Sequence, residues 1–251
     1  MSAEEESAFY NREADAMSAT RPERAGLMRN AAAKMLAGDV AQVSAELERA
    51  LKLCPGSPRI VLLVRDAMAQ LGAFDRVLEL TDELLDLGGD GRTRVSALLE
   101  AAIIKKYRKS DVTGALACLD RAIDLDAGQV AALVLRAGLQ MEEGLHLESV
   151  ESLEQLVESI NDPRERGLLL MTAGTLLEFR LDNGPRAEGL YKRAVEYDPD
   201  NVFCLLALRD LHYRQGNWTE LCEDLERIAA AQDEPTVKAR YLCLLYTSDA
   251  A

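Results

Sequence analysis

The sequence predicts an all-α chain assembled from repeated antiparallel helix pairs, and three observations lead there. Apolar residues recur at helical spacing from Glu23 onward. The breaks between those stretches return at a fixed interval, since Gly72 in QLGAFD, Gly144 in EEGLHL and Gly216 in RQGNWT stand 72 residues apart. No segment alternates apolar and polar residues between hairpin turns, so nothing competes as a strand. The expected architecture is an α-solenoid, in which each helix pair buries its apolar face against its neighbours.

Taken in order, residues 1–22 form an acidic, polar segment in which Phe9, Tyr10, Ala14 and Met17 make a weak helical stripe before Pro22. The repeat array is expected over residues 23–239. A second set of marks supports it, because Arg49-Ala50, Arg121-Ala122 and Arg193-Ala194 are also 72 apart. Gly38 precedes Gly72 by 34, which divides each block in two. Units then start near Arg24, Pro58, Ser96, Val130, Leu168 and Val202, at steps of 34 and 38 in alternation. The four extra residues are placed in loops, within DLGGDGRTRV (86–95) and ESINDPRERG (158–167), which are rich in Gly, Pro, Asp or Asn. Residues 240–251 are expected to be a truncated repeat or, through CLLYTSDAA, a non-native tail that resembles a translated sequencing adapter.

The best-formed stretch is AEGLYKRAVEYDPDN, residues 187–201. Its spacing sets Ala187, Tyr191 and Ala194 on one helical face, and Pro199 ends the helix. The same pattern is recognisable at Ala115, Leu119 and Ala122, and at Val43, Leu47, Ala50 and Pro55. An aromatic follows the turn glycine at Phe74 and Trp218, with His146 in the equivalent place between them. On these residues the chain resembles tetratricopeptide repeat (TPR) proteins over roughly residues 23–235. The even units depart from the family pattern, with Leu84, Leu156 and Ile228 where the odd units have alanine. Larger side chains there are expected to hold neighbouring helices further apart.

Composition narrows the function. A formal charge of −14 on 251 residues repels phosphate backbones and anionic membrane surfaces, which argues against a nucleic-acid or membrane partner. No run of about 20 apolar residues exists, and the acidic start is unlike a secretory signal, so a cytoplasmic protein is expected. The five cysteines are scattered without a CxxC pair and read as small buried apolar residues, with neither a disulfide framework nor a zinc site.

No catalytic, cofactor-binding or metal-binding residue is assigned. His146 is explained by packing, and His212 has no convergent carboxylate that the sequence indicates. The pairs Asp82-Glu83 and Glu223-Asp224 read as solvated helix faces, as does the acidic run Glu4 to Glu6. Gly88-Gly89-Asp90-Gly91 lacks the strand and the Lys-Ser/Thr of a phosphate cradle, and Asp198-Pro199-Asp200-Asn201 is a turn after a helix.

The TPR resemblance implies instead a concave groove, lined by first helices, that receives an extended or helical segment of a partner. Three first helices end with an aromatic followed by arginine: Tyr107-Arg108, Phe179-Arg180 and Tyr213-Arg214. These six are the candidate groove residues, able to grip a partner by stacking and by charged hydrogen bonds to its carboxylates. The plainer alternative has each ring packed on the next repeat and each arginine facing the negative end of its helix. The family's carboxylate-clamp type, which needs Lys and Asn in the groove, is disfavoured because the corresponding positions include Ala32, Asp66, Gly138 and Asp210. The expected function is a non-enzymatic scaffold for a protein or peptide partner, acidic or helical in character. The alternatives are a regulatory arm of a larger enzyme or transcription regulator, and an array that self-associates.

Overall fold

A computed structural model of the chain describes residues 40–53, 56–199, 201–232 and 234–248, with a few isolated positions before residue 40. The acidic segment 1–22 therefore falls almost wholly outside the described residues, as do Gly38 and Cys54. Among the described residues there are twelve helices and no strand. They are α1 (Val40–Leu53), α2 (Pro58–Gln70), α3 (Phe74–Leu87), α4 (Gly91–Lys109), α5 (Val112–Leu125) and α6 (Val130–Glu142), then α7 (His146–Ser159), α8 (Pro163–Phe179), α9 (Gly184–Tyr197), α10 (Val202–Gln215), α11 (Trp218–Ala230) and α12 (Pro235–Ser248).

The helix boundaries carry the 72-residue period: α2, α6 and α10 begin 72 apart, as do α3, α7 and α11, and α4, α8 and α12. The 239/240 boundary expected from the repeat marks falls inside α12. The helices form two compact units, Met1–Asp126 and Ala127–Ala251. In each, every helix packs on the one before it in the chain.

The second helices bury the residues that the spacing selects. Ala187, Tyr191 and Ala194 are fully buried in the unit 2 core, and Val43, Leu47, Ala50, Ala115, Leu119 and Ala122 are buried in unit 1. Cys118 and Cys204 are buried too, and burial pushes the Cys204 thiol up to about 11. Cys222 is only half-buried and Cys243 is exposed, so the expectation of buried thiols fails for these two.

Gly72, Gly144 and Gly216 close the even pairs in the left-handed region, at φ +71°, +76° and +74°, where a side chain is strained. The odd pairs close on Ser110 and Asp182, which hold the same region at φ 54° and 49°.

One expectation is corrected. The four extra residues expected in the loops 86–95 and 158–167 do not lengthen loops. They lengthen the first helices, so that α4 has 19 residues and α8 has 17, against 13 in α2 and α6. The reason is capping. Asp90 accepts a hydrogen bond from the Thr93 N–H (3.1 Å) and Asp162 one from the Arg164 N–H (3.0 Å), while Pro163 supplies a preset first helical residue. These caps start each helix five residues before the repeat marks at Ser96 and Leu168.

Each even pair is also held by a polar contact buried between its two helices. In α2–α3 the Arg65 Nε donates to Thr81 Oγ1 at 2.9 Å. In α6–α7 the Ser152 hydroxyl donates to Gln140 Oε1 at 2.6 Å. In α10–α11 His212 Nδ1 lies 2.6 Å from Asp224 Oδ2. The last two pairs occupy equivalent positions, 72 residues apart. Buried polar groups cost little only when matched in this way.

Tyr191 fits because α8 has no side chain opposite it. A Cβ on Gly174 would stand 2.5 Å from Tyr191 Cε1. The equivalent positions one block earlier are Ala102 and Leu119, both buried, so a larger ring in the third block is matched by a smaller neighbour. Gly174→Ala is expected to destabilise unit 2 by about 2 kcal/mol through overpacking, although alanine is the better helix former. Urea unfolding of the purified variant measures this, and an equal or higher midpoint contradicts the packing argument.

Candidate functional site

The longer first helices each carry one stripe of exposed and half-exposed residues. On α4 it runs through Ser96, Glu100, Ile103 and Tyr107, and on α8 through the equivalent Leu168, Thr172, Thr175 and Phe179. Spacings of four, three and four put each set on one helical face. Only Tyr107 and Phe179 were selected from the sequence. Ile103 and Leu168, at 45% and 48% exposed, extend the stripes. The signal that would have found them is their apolar character on a face that the buried residues of the same helix leave unused.

In unit 1, Tyr107 and Arg108 close α4. The Arg108 guanidinium lies over the Phe74 ring at 5.2 Å, and Lys109 Nζ pairs with Asp75 Oδ1 at 2.5 Å, so the end of α4 is fastened to the start of α3. In unit 2, Phe179 and Arg180 close α8, and Tyr213 and Arg214 close α10. Here the structure brings predicted residues together, since the Arg214 guanidinium lies over the Phe179 ring at 5.6 Å. Tyr213 meets Trp218, the first residue of α11, edge to face at 6.0 Å.

The plainer alternative is met in part, since Phe179 lies against Arg214 of the next helix pair and Tyr213 against Trp218. Tyr107, Phe179 and Tyr213 are 68%, 66% and 64% exposed, and none is packed away. The arginines differ more than the sequence suggested. Arg214 forms an ion pair with Glu178 and donates from Nε to the Asp210 carbonyl oxygen at 3.2 Å. Glu178 is buried and accepts a hydrogen bond from the Tyr191 hydroxyl at 2.8 Å. Burial raises the Tyr191 phenol above its ordinary range, so it remains a donor. Arg180 is exposed and has no side-chain partner among the described residues.

The arrangement at the end of α8 and α10 is thus a shelf of exposed aromatic faces. One guanidinium, that of Arg214, is committed to the fold, and the other, that of Arg180, is exposed. It contains no nucleophile with an adjacent base. Among the described residues no cluster of His, Cys, Asp and Glu is placed to hold a metal ion, and no helix is long and apolar enough to cross a membrane.

His212 is a second correction. Two carboxylates converge on it, from Asp224 of α11 and from Glu188 of α9, whose Oε1 is 3.4 Å from Nε2. Asp224 is 4% exposed and does not belong to a solvated face as expected, although Glu223 beside it does. Sequence distance hid this cluster, because Asp224 lies 12 residues away across a helix turn and Glu188 lies on another helix pair.

Since Arg214 holds a buried carboxylate and Arg180 holds none, the two should differ in their contribution to stability. Arg214→Ala is expected to cost about 1–2 kcal/mol, less than for a fully buried pair because the guanidinium is half exposed. Arg180→Ala should stay within about 0.5 kcal/mol of the parent. Urea denaturation of both variants checks the contrast, and equal losses contradict it.

No protein-family model and no curated protein matches the chain in sequence. Solved structures do resemble it. They include the TPR protein YrrB, described as having an unusual peptide-binding site, at 16% identity over 79% of this chain and 89% of that one with a TM-score of 0.45. They also include MamA, at 18% identity over 70% of this chain and 92% of that one with a TM-score of 0.48. A tetratricopeptide repeat protein from Parabacteroides merdae aligns at 13% identity over 90% and 87% of the two chains with a TM-score of 0.48. The chain's own helix pairs, with buried Ala187, Tyr191 and Ala194 and their counterparts around Leu119 and Leu47, and with left-handed closing turns, have the tetratricopeptide repeat fold.

Proposed function

We propose that this chain is a non-enzymatic cytoplasmic scaffold whose repeat array, residues 23–239, receives an extended or helical segment of a partner protein along the free faces of its first helices. The observation that carries the reading is the exposure of Tyr107, Phe179 and Tyr213. Three large rings stand in water beside guanidinium groups, on a fold that has ample apolar core elsewhere. Exposed aromatic groups of this kind are enriched at the energetic centres of interfaces, because they bury large area at small entropic cost.

In this reading the rings supply the stacking surface. Arg214 lies over the Phe179 ring and is itself held by Glu178. Arg180 and Arg108 are then the cations that meet a partner's carboxylates, with Arg108 giving up its place over Phe74 to do so.

The test replaces the rings, which are not needed for packing. A Tyr107→Ala, Phe179→Ala and Tyr213→Ala triple variant should keep its urea midpoint. Its affinity for a partner captured by the parent protein should fall about tenfold or more, equivalent to about 1.4 kcal/mol. Unchanged affinity in a folded triple variant removes these residues from the interface.

A further inference from the structure

Arg94 on α4 and Arg166 on α8 occupy the same place in successive blocks, 72 residues apart, yet the fold provides partners for only one of them. In unit 2 the Arg166 Nε donates to the Ile160 carbonyl oxygen at 2.6 Å, and the guanidinium lies over the Tyr197 ring at 5.2 Å. Unit 1 supplies neither contact. The residue equivalent to Ile160 is Gly88, which takes φ +74° where Ile160 has φ −103°, and its carbonyl oxygen accepts nothing from Arg94 Nε. The residue equivalent to Tyr197 is Leu125, which has no ring to set beneath a cation.

Arg94 is left with its donors unused. Nε is buried without an acceptor, and the side chain makes no hydrogen bond or ion pair with any described residue. Of its nitrogens only Nε is enclosed, so the terminal pair is open to a ligand. Elsewhere in unit 1 such groups are matched: Arg65 is met by Thr81 and Glu100, and Arg76 by Glu48 and Glu79. A guanidinium drawn into the protein without an acceptor is costly, and the cost falls when an anion reaches it.

A cleft of about 200 Å³ adjoins Arg94, and Leu85, Leu98, Arg121, Asp124 and Leu125 complete its lining. Leu85 and Leu98 are buried and form an apolar floor. An apolar cavity of about 150 Å³ holds a benzene ring, so this cleft has room for one. Of its other charged side chains, Arg121 is engaged by Asp82 at 3.2 Å, and Asp124 makes no ion pair with Arg94. The cleft therefore presents leucine side chains, a guanidinium of the kind that covers a ring in unit 2, and N–H donors that no carboxylate has taken. Aromatic faces and carboxylates are the two groups that a guanidinium binds best.

We propose that this cleft binds an aromatic carboxylate, with the ring in the place that Tyr197 has in unit 2 and the carboxylate on the terminal nitrogens of Arg94. A free C-terminal tyrosine or phenylalanine has this chemistry, as does a small aromatic acid. The site shares no residue with the exposed stripes of α4 and α8, and it does not depend on their binding anything.

A proton–nitrogen NMR titration of the purified chain with N-acetyl-tyrosine should show one saturable site of millimolar affinity, as a ligand of that size allows. Arg94→Gln should weaken it about tenfold or more by removing the guanidinium, and Leu125→Tyr should do the same by filling the cleft with the chain's own ring. Both variants should keep the parent's urea midpoint, since Arg94 has no partner to lose and Leu125 is 38% exposed. Acetate, which lacks the ring, and N-acetyl-tyrosinamide, which lacks the charge, should not saturate. Asp124→Asn should bind at least as tightly as the parent, because it removes the like charge from the cleft. The Tyr107→Ala, Phe179→Ala and Tyr213→Ala triple variant should bind as the parent does, which separates this site from the first-helix surface.

A short peptide ending in a free tyrosine that binds more tightly than N-acetyl-tyrosine identifies a partner's C-terminus as the source of the ligand. A peptide that is excluded while N-acetyl-tyrosine binds identifies a small molecule. Absence of saturable binding up to about 10 mM, or unchanged affinity in Leu125→Tyr or for the amide, overturns the proposal.

Discussion

The Glu178 carboxylate is the point on which unit 2 turns. It is buried at the end of α8, where an ionised group is tolerated only if both oxygens are matched. One oxygen takes the Tyr191 hydroxyl from the core of α9, and the other pairs with Arg214 from the surface of α10. Three helices are therefore joined at one group. Tyr191 reaches it only because Gly174 leaves room for the ring, so the absence of a side chain on α8 determines the position of a cation two helices further on. That cation in turn lies over Phe179, which is how an interior packing choice becomes a feature of the surface.

Elsewhere the same task is met differently. Unit 1 has leucine at the position equivalent to Tyr191, and its polar centre is Arg65, buried at 3% exposure on α2. The Arg65 guanidinium donates to Thr81 of α3 and binds Glu100 of α4. A buried cation joins three helices there, where a buried anion does so in unit 2. The period is preserved in helix boundaries and apolar positions, while the polar links vary between blocks. Apolar contacts tolerate substitution of similar volume, but a polar link works only as a matched set.

That difference explains what could be read from the sequence. The helix pairs, their period and the buried faces of the second helices were legible because hydrophobic spacing and turn glycines are local signals. The lengthened α4 and α8 were missed because Asp90 and Asp162 look like loop residues until their side chains are seen capping the next helix. The aromatic–arginine ends were legible as residues but not as contacts. Sequence order pairs Phe179 with Arg180, and the fold pairs it with Arg214. The His212 cluster was illegible for the same reason, since its three members come from three helices and share no spacing rule. Asp224 was misread because an acidic doublet on a helix usually faces water, whereas here only Glu223 is exposed and Asp224 is buried.

The variety of the buried polar pairs also bears on how the chain finds its fold. Repeats of similar sequence invite exchange, in which a first helix pairs with the second helix of another repeat and most apolar contacts survive. Within unit 2, an α10 that closed on α7 would bring His212 against Ser152 in place of Asp224. An α6 that closed on α11 would bury Asp224 beside Gln140 without a cation. Each exchange leaves an ionisable group in the interior without its counterpart, a cost the correct pairing avoids. The polar pairs at the centre of the even helix pairs therefore act as labels that tell otherwise interchangeable repeats apart.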